Sequence, residues 1–520
     1  MYDYVVVGAG SAGSVLAARL SENPDVTVAL IEAGPLDTAD EIHIPAAFPG
    51  LFKGPLDWDF DTEPETGLDG RRVYLPRGRV LGGSSSINAM IYIRGARADY
   101  DGWAAGGADG WSYDEVLPYF LKSEDNEGGK DAYHGVGGPL TVSDGRSRNP
   151  LDEAFLQAAE QAGYRRNTDF NGATQLGVGP YQLTQRNGMR CSAAVAYLHP
   201  ALDRPNLTLL TGALAHRVIV DGDRATGVMI GSGGTTEVIE ARREVILAAG
   251  AYGSAHLLLL SGIGPAEGLE PFGIGVVNEL PVGQRLQDHL AVFLNYRTDH
   301  ESLLTAMSPQ NLELLQRAGR GPLTSNVGES GGFFETRAGL PGPDVQFHQA
   351  PALFYDEGMG PLTEHGFGFG PCLISPTSRG EVTLRSASPE SAPRIRHNYL
   401  STEEDRAAMV AGLRIALDIA GRPAVREVTT GEFSVPASDS DADLLAFARR
   451  TGQTLYHPTS TCAMGAVVDS RLRVLGMSGL RVADASVMPT VVRGNTNAPT
   501  IMIAEKAVDL ITADSEGDAR

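Results

Sequence analysis

Gly8-Ala9-Gly10-Ser11-Ala12-Gly13 forms a G-x-G-x-x-G run between an apolar stretch and a helix-forming one. That spacing suits pyrophosphate: glycine permits a tight turn, lets the backbone lie close to phosphate, and leaves helix N-terminal N–H groups facing the anion. Glu32 follows where a second strand should end. There it can accept hydrogen bonds from both ribose hydroxyls, and its charge repels a 2′-phosphate, so NADP is not expected. The run by itself does not choose between NAD and FAD. A second loop, Gly78-Arg79-Val80-Leu81-Gly82-Gly83-Ser84-Ser85-Ser86-Ile87-Asn88, can aim several backbone N–H groups at phosphate or flavin; the same composition also describes an ordinary loop. Eleven histidines are present, and an imidazole with an unperturbed pKa near ~6.5 can accept a proton at neutral pH. Residue type alone does not pick one of them.

These residues need a scaffold. Tyr4 to Val7 reads as a buried strand, Ala12 to Leu20 as a helix and Val26 to Ile31 as the next strand, a βαβ unit that implies a parallel sheet. Further strand-like runs occur at Leu207–Leu210, Ala215–Val220, Thr226–Ile230 and Val245–Ala248. From about 293 to 455 the texture changes to short alternating runs such as Gly380-Glu-Val-Thr-Leu-Arg385, followed by helical stretches near 402–420 and 441–451. That pattern predicts an antiparallel sheet with helices behind it, as a separate lobe. Near the C-terminus, Pro499 suits a first helical position, with Asn497 and Ala498 capping a helix through Ile501 to Ile511. The polar tail Ala513–Arg520 is expected to fray.

Composition narrows the function. The 520 residues exceed one compact core, so two domains or a domain with a lobe are expected. With 63 Gly and 31 Pro, but 42% hydrophobic and 20% charged residues, the chain reads as loop-rich and globular. A net charge of −22 disfavours nucleic acid and anionic lipid as partners. Cys191, Cys372 and Cys462 fit neither a disulfide framework nor a zinc cluster, so a reducing compartment and no metal are expected. Met1-Tyr2-Asp3 offers no positive n-region, and the uncharged stretch 245–264 is divided by Gly250, Gly253, Ser254 and His256 into strand, turn and helix. A cytoplasmic protein with no membrane partner is the expectation.

Four further segments follow in order: Gly250 to Gly264, Tyr456-His457-Pro458, Gly479 to Pro489, and Gly494-Asn-Thr-Asn-Ala-Pro-Thr500. Together with the glycine run and the 78–88 loop they resemble the glucose-methanol-choline (GMC) family of FAD-dependent oxidoreductases over essentially the whole chain. The resemblance implies an α/β fold: a Rossmann-type FAD-binding domain assembled from 1–155, 191–292 and 456–520, and an α+β substrate domain on an antiparallel sheet from 156–190 and 293–455. It implies FAD contacts from Gly8, Gly10, Ser11, Ala12, Gly13, Glu32 and Ala33, and from Arg79, Leu81, Gly82, Gly83, Ser84, Asn88, Ala89 and Met90. Val218 matches a position whose main chain lies on the adenine. Ala249, Gly250, Asp484, Ala485, Asn497, Ala498 and Thr500 complete the set. Two departures are Ala255, where Pro or Ser is usual, and Ile87, at the position from which some members attach FAD through histidine. Isoleucine cannot form that bond, so FAD is expected to be noncovalent.

The same resemblance assigns His457 as the base that takes the hydroxyl proton while hydride passes to flavin N(5). Asn497 is aligned as its partner on the substrate oxygen, with the C-terminal helix pointing its positive end at the flavin. Glu329, Phe347, Phe354 and Tyr456 are candidates for the substrate side, as are His348 and Tyr355; each also has a bland reading as packing or a salt-bridged loop residue. The implied reaction is oxidation of an alcohol, primary by expectation, to an aldehyde, with oxygen or another acceptor re-oxidising the flavin. The fold also hosts hydroxynitrile lyases and a fatty-acid photodecarboxylase, which remain alternatives, and a flavin-binding protein without catalysis is a third.

Overall fold

The computed structural model describes residues 1–518. Strand Tyr2–Val7 (YDYVVV) is buried from its second residue onward, as a strand covered on both faces must be. It lies between Val28–Ile31 and the C-terminal half of the long strand Thr235–Leu247, both parallel to it. Leu207–Leu210 and Leu480–Val482 extend the parallel region. The first half of Thr235–Leu247 pairs instead with Arg224–Ser232, which pairs with Leu214–Asp221, all antiparallel. The register sets Val7 beside Ile31, so Gly8 and Glu32 emerge side by side at the carboxyl edge, where open α/β sheets bind ligands.

The second sheet is antiparallel throughout. Its order is Gly431–Ser434, Leu294–Arg297, Gly366–Leu373, Val345–Ala350, Ser330–Phe334 and Gly177–Pro180, with Leu290–Ala291 and Gln453–Thr454 attached. Helix Glu403–Ala420 packs on one face. Thr402 caps it by accepting from Asp405 N, and acids at 403, 404 and 405 fill its first turn. Gly412 permits the contact, because a Cβ there would stand 2.7 Å from Pro371. The other face of the sheet looks towards the first domain.

Both sheets agree with the sequence expectation, and so do helices Ser11–Leu20, Glu403–Ala420 and Asp441–Thr451. Residues 245–264 divide as expected into strand, turn and helix Gly250–Leu260, and no helix among the described residues is long and apolar enough to cross a membrane. Three details differ. The C-terminal helix starts at Asn497, making Pro499 its third residue, still within the first turn, where the missing N–H costs no bond. The expected frayed tail continues that helix to Asp518, because Asp514 receives Arg471 and Arg481, and Ser515 Oγ lies 2.7 Å from the Tyr4 hydroxyl; Ala519 and Arg520 lie outside the described residues. Helix Pro150–Gln161 packs against helices Glu403–Ala420 and Pro423–Val428 of the antiparallel lobe, so the expected boundary after residue 155 falls inside it.

Candidate active site

The glycine turn is built by close contacts. Gly8 has φ +96°, and a Cβ on it would meet the Ala248 carbonyl oxygen at 2.7 Å. A Cβ on Gly13 would come within 1.7 Å of the Gly8 carbonyl oxygen, so helix Ser11–Leu20 can pack on its strand only if residue 13 is glycine. Gly10 precedes that helix with no side-chain cap, leaving its first N–H groups open to an anion. The 78–88 loop docks on the turn: Gly82 N donates to the Ala9 carbonyl (2.8 Å), and a Cβ on Gly83 would stand 2.7 Å from Gly10 Cα. Buried Glu32 accepts from Ala9 N (2.9 Å) and Gly34 N (2.8 Å), and burial pushes its carboxyl up to about 7. Asp484 accepts from Gly250 N (2.8 Å), Ser254 Oγ (2.6 Å) and Ser486 N (2.8 Å), with burial again raising its pKa.

A cavity of ≈ 880 Å³ runs from this turn to His457. It combines a Cβ-free phosphate cradle, an acid at a strand end for ribose, and the starts of helices Ser11–Leu20 and Asn497–Asp518. This donor set fits FAD.

At the far end, the buried His457 ring is held on both nitrogens. Nδ1 lies 3.0 Å from His289 Nδ1, and Nε2 lies 3.3 Å from Asn495 Nδ2. Its backbone N donates to Asp288 Oδ1 (2.7 Å), and Thr454 Oγ1 donates to the other Asp288 oxygen (2.5 Å), so one buried carboxylate fixes the strand exit. Tyr456 adopts φ +70°, a strained choice for an aromatic residue. Three bonds hold it: Arg77 Nη1 to its carbonyl (2.7 Å), its N to Thr454 Oγ1 (2.8 Å) and its hydroxyl to the Glu357 carbonyl (2.9 Å). Burial, followed by the neighbouring His289, His348 and Arg77, drives the His457 pKa well below the usual imidazole value. The ring is therefore neutral and able to accept a proton.

Most expected residues line this cavity: Gly8, Gly10, Ser11, Ala12, Glu32 and Ala33; Arg79, Gly83, Ser84, Asn88, Ala89 and Met90; Ala249, Gly250, Asp484, Ala485, Asn497 and Thr500; and His457, Phe354 and Tyr456. Ile87 also lines it. Others do not. Gly13 serves helix packing, Leu81 is fully buried with its N–H on the Pro35 carbonyl, Gly82 ties the loop to the turn, and Ala498 faces the core. Val218 N donates to Ser261 Oγ (2.8 Å), and the neighbouring stretch Gly212–His216 faces the cavity instead.

The expected pair needs correction. Asn495, not Asn497, reaches His457; Asn497 Oδ1 accepts from Ser11 Oγ (2.8 Å) and joins the two helix starts. Glu329 turns away from the cavity, accepting from Ser325 Oγ (2.5 Å) and facing the buried carboxyl of Asp152, whose pKa is raised by burial and by Glu329. Phe347 points into the lobe core against Phe334, because alternation along Val345–Ala350 sends Gln346, His348 and Ala350 the other way. Sequence reasoning missed Asn495, Asp288, His289 and Arg77. Asn495 sat inside a recognised motif, but His289 lies 168 residues from its partner, with no local pattern to mark it.

Fold and site together define an FAD-dependent oxidoreductase. The chain belongs to the GMC oxidoreductase family, which it matches over residues 2–291 and 376–504. It is 49% identical to an uncharacterized GMC-type oxidoreductase of Mycobacterium tuberculosis, covering 98% of this chain and 99% of the relative. It is 45% identical to the mitochondrial choline dehydrogenase of Homo sapiens, covering 98% and 89%. Among solved structures it is similar to pyridoxine 4-oxidase from Mesorbium loti, with a TM-score of 0.90, 33% identity and coverage of 98% and 99%.

Proposed function

We propose that this protein oxidises a primary alcohol to an aldehyde, with His457 as the general base and Asn495 as the partner that holds the alcohol oxygen. FAD held in the cavity supplies the two-electron oxidant, and oxygen or another acceptor regenerates it. An entering hydroxyl replaces Asn495 as the donor to His457 Nε2. The two Asn495 N–H groups can then turn to the alcohol oxygen, where negative charge grows as the proton leaves. His348 lines the same space with neither ring nitrogen bonded to protein. Phe52, Phe354 and Tyr456 form an aromatic wall that excludes water and accepts the apolar part of an alcohol. Ile87 faces the cavity without a nucleophile, which supports noncovalent FAD.

The observation that carries this reading is the buried, neutral His457 beside Asn495 at one end of a cavity whose other end is a pyrophosphate cradle. The test is anaerobic mixing with a panel of alcohols, followed by loss of the oxidised-flavin absorbance. The wild type should bleach, and His457→Ala should keep its FAD but bleach about 10³-fold more slowly. Equal bleaching rates would remove His457 from the mechanism. Cleavage of a cyanohydrin without bleaching would favour the lyase reading.

A further inference from the structure

We propose that Gln346, on the strand Val345–Ala350, is a positioning residue that decides which nitrogen of His457 is free to take the proton. It acts through a one-way run of hydrogen bonds anchored on a backbone carbonyl. The proposal rests on His457 being the base.

The run starts at the Phe347 carbonyl oxygen, which can only accept. Tyr181 donates its single hydroxyl proton there (2.5 Å), so towards Gln346 the Tyr181 oxygen must accept. At 3.1 Å from that oxygen, the Gln346 group must therefore be the amide Nε2, and Nε2 also donates to Asn495 Oδ1 (3.0 Å). With its oxygen committed to Gln346, Asn495 turns Nδ2 towards His457 Nε2 at 3.3 Å. A donor on that side demands a lone pair on Nε2, which places the ring proton on Nδ1, donated to His289 Nδ1 at 3.0 Å. Flipping either amide would set two donors or two acceptors face to face. The result is the tautomer a base needs, with its free nitrogen on the Asn495 side. Gln346 is fully buried and its own Oε1 has no partner, a cost that packing alone does not explain. The charged or titratable groups facing His457 are His289, His348 and Arg77, with Asp288 on its backbone N–H. None of them lies in the run from Phe347 to Asn495.

Two substitutions separate orientation from bulk. Gln346→Met keeps the volume, removes the donor and removes an unsatisfied acceptor, so the fold and FAD content should hold. Asn495 then loses its orientation, and kcat should fall about fivefold with KM nearly unchanged, the effect of one lost net hydrogen bond. Gln346→Glu, once its buried carboxyl is ionised, offers only acceptors to Asn495, so the amide should reverse, presenting Oδ1 to His457 and forcing a proton onto Nε2. kcat measured above the pKa of that carboxyl should then fall about a hundredfold, as for a lost oxyanion donor.

Nitrogen-15 histidine NMR of the holoenzyme reads the tautomer without reference to activity. His457 should carry its proton on Nδ1 in the wild type, lose that preference in Gln346→Met, and hold it on Nε2 in Gln346→Glu. Tyr181→Phe, which frees Gln346 to flip, should behave like Gln346→Met and serves if that variant does not fold. An Nε2–H tautomer in the wild type, or unchanged tautomer and kcat in Gln346→Met or Tyr181→Phe, overturns the proposal. Turnover that survives His457→Ala defeats the base assignment instead, so the two failures are distinct.

Discussion

His289, His348 and His457 are three imidazoles packed around one end of the cavity, and burial keeps each uncharged: His289 is pushed down to about 4, His348 to about 3, and His457 well below its ordinary range. Each folded-state value lies below the unfolded one near ~6.5, so each ring's contribution to stability is fully present above that pH. It is lost as pH falls towards the folded value, at about 1.4 kcal/mol per pH unit per ring. His348 isolates the effect because neither nitrogen bonds to protein. Between pH 7 and pH 5 the wild type should lose about 2 kcal/mol more unfolding free energy than His348→Leu, measured in urea at the two pH values. Equal losses would mean that the ring titrates in the folded protein as it does in the unfolded chain.

Elements place these residues through backbone contacts that side chains cannot replace. Gly13 and Gly10 belong to one motif but do different work. A Cβ at position 13 would collide with the Gly8 carbonyl oxygen at 1.7 Å, whereas a Cβ at position 10 would meet only Gly83 Cα, at an ordinary 3.8 Å. Gly13→Ala should therefore cost about 3 kcal/mol of apoprotein stability by overpacking. Gly10→Ala should leave the apoprotein melting temperature unchanged and weaken FAD at least about tenfold, since its methyl enters the space that pyrophosphate needs. Apoprotein melting and FAD titration check both; the reverse pattern would reassign the two glycines. The strand Val345–Ala350 shows the same logic, with one face giving Gln346 and His348 to the site and the other giving Phe347 to the core.

At the scale of the molecule, the cavity is walled from both sheets: Val7, Gly8, Gly10 and Glu32 at the edge of the parallel one, Phe293, His348 and Ala350 from the antiparallel one. A ligand filling it ties the two together, so FAD should contribute to stability by mass action, about 4 kcal/mol at a thousandfold excess over its Kd. With Ile87 at the attachment position, acid precipitation should leave the yellow colour in the supernatant, and the apoprotein should melt lower until FAD is restored. Flavin that pellets with the protein would contradict noncovalent binding.

Much of this was legible in the chain. Glycine spacing, strand alternation and the acid at Glu32 act over a few residues, so they marked the βαβ unit and the nucleotide site without any long-range information, whereas His457 was singled out only by the family resemblance. The pairing of His457 was not legible, because Asn495 and Asn497 are two residues apart in one motif and only the helix start, at Asn497, decides which one turns towards the histidine. Glu329 and Phe347 were misplaced for the related reason that their orientation follows the register of an eight-stranded sheet. His289, Gln346 and Tyr181 come from distant segments of the chain that the antiparallel sheet brings together, and Asn495 reaches Gln346 from just before the C-terminal helix. Local periodicity therefore determined which elements form and that they suit a dinucleotide, while the choice of FAD came from the family resemblance. The arrangement of hydrogen bonds around the base depends on long-range packing, and only the tertiary structure decided it.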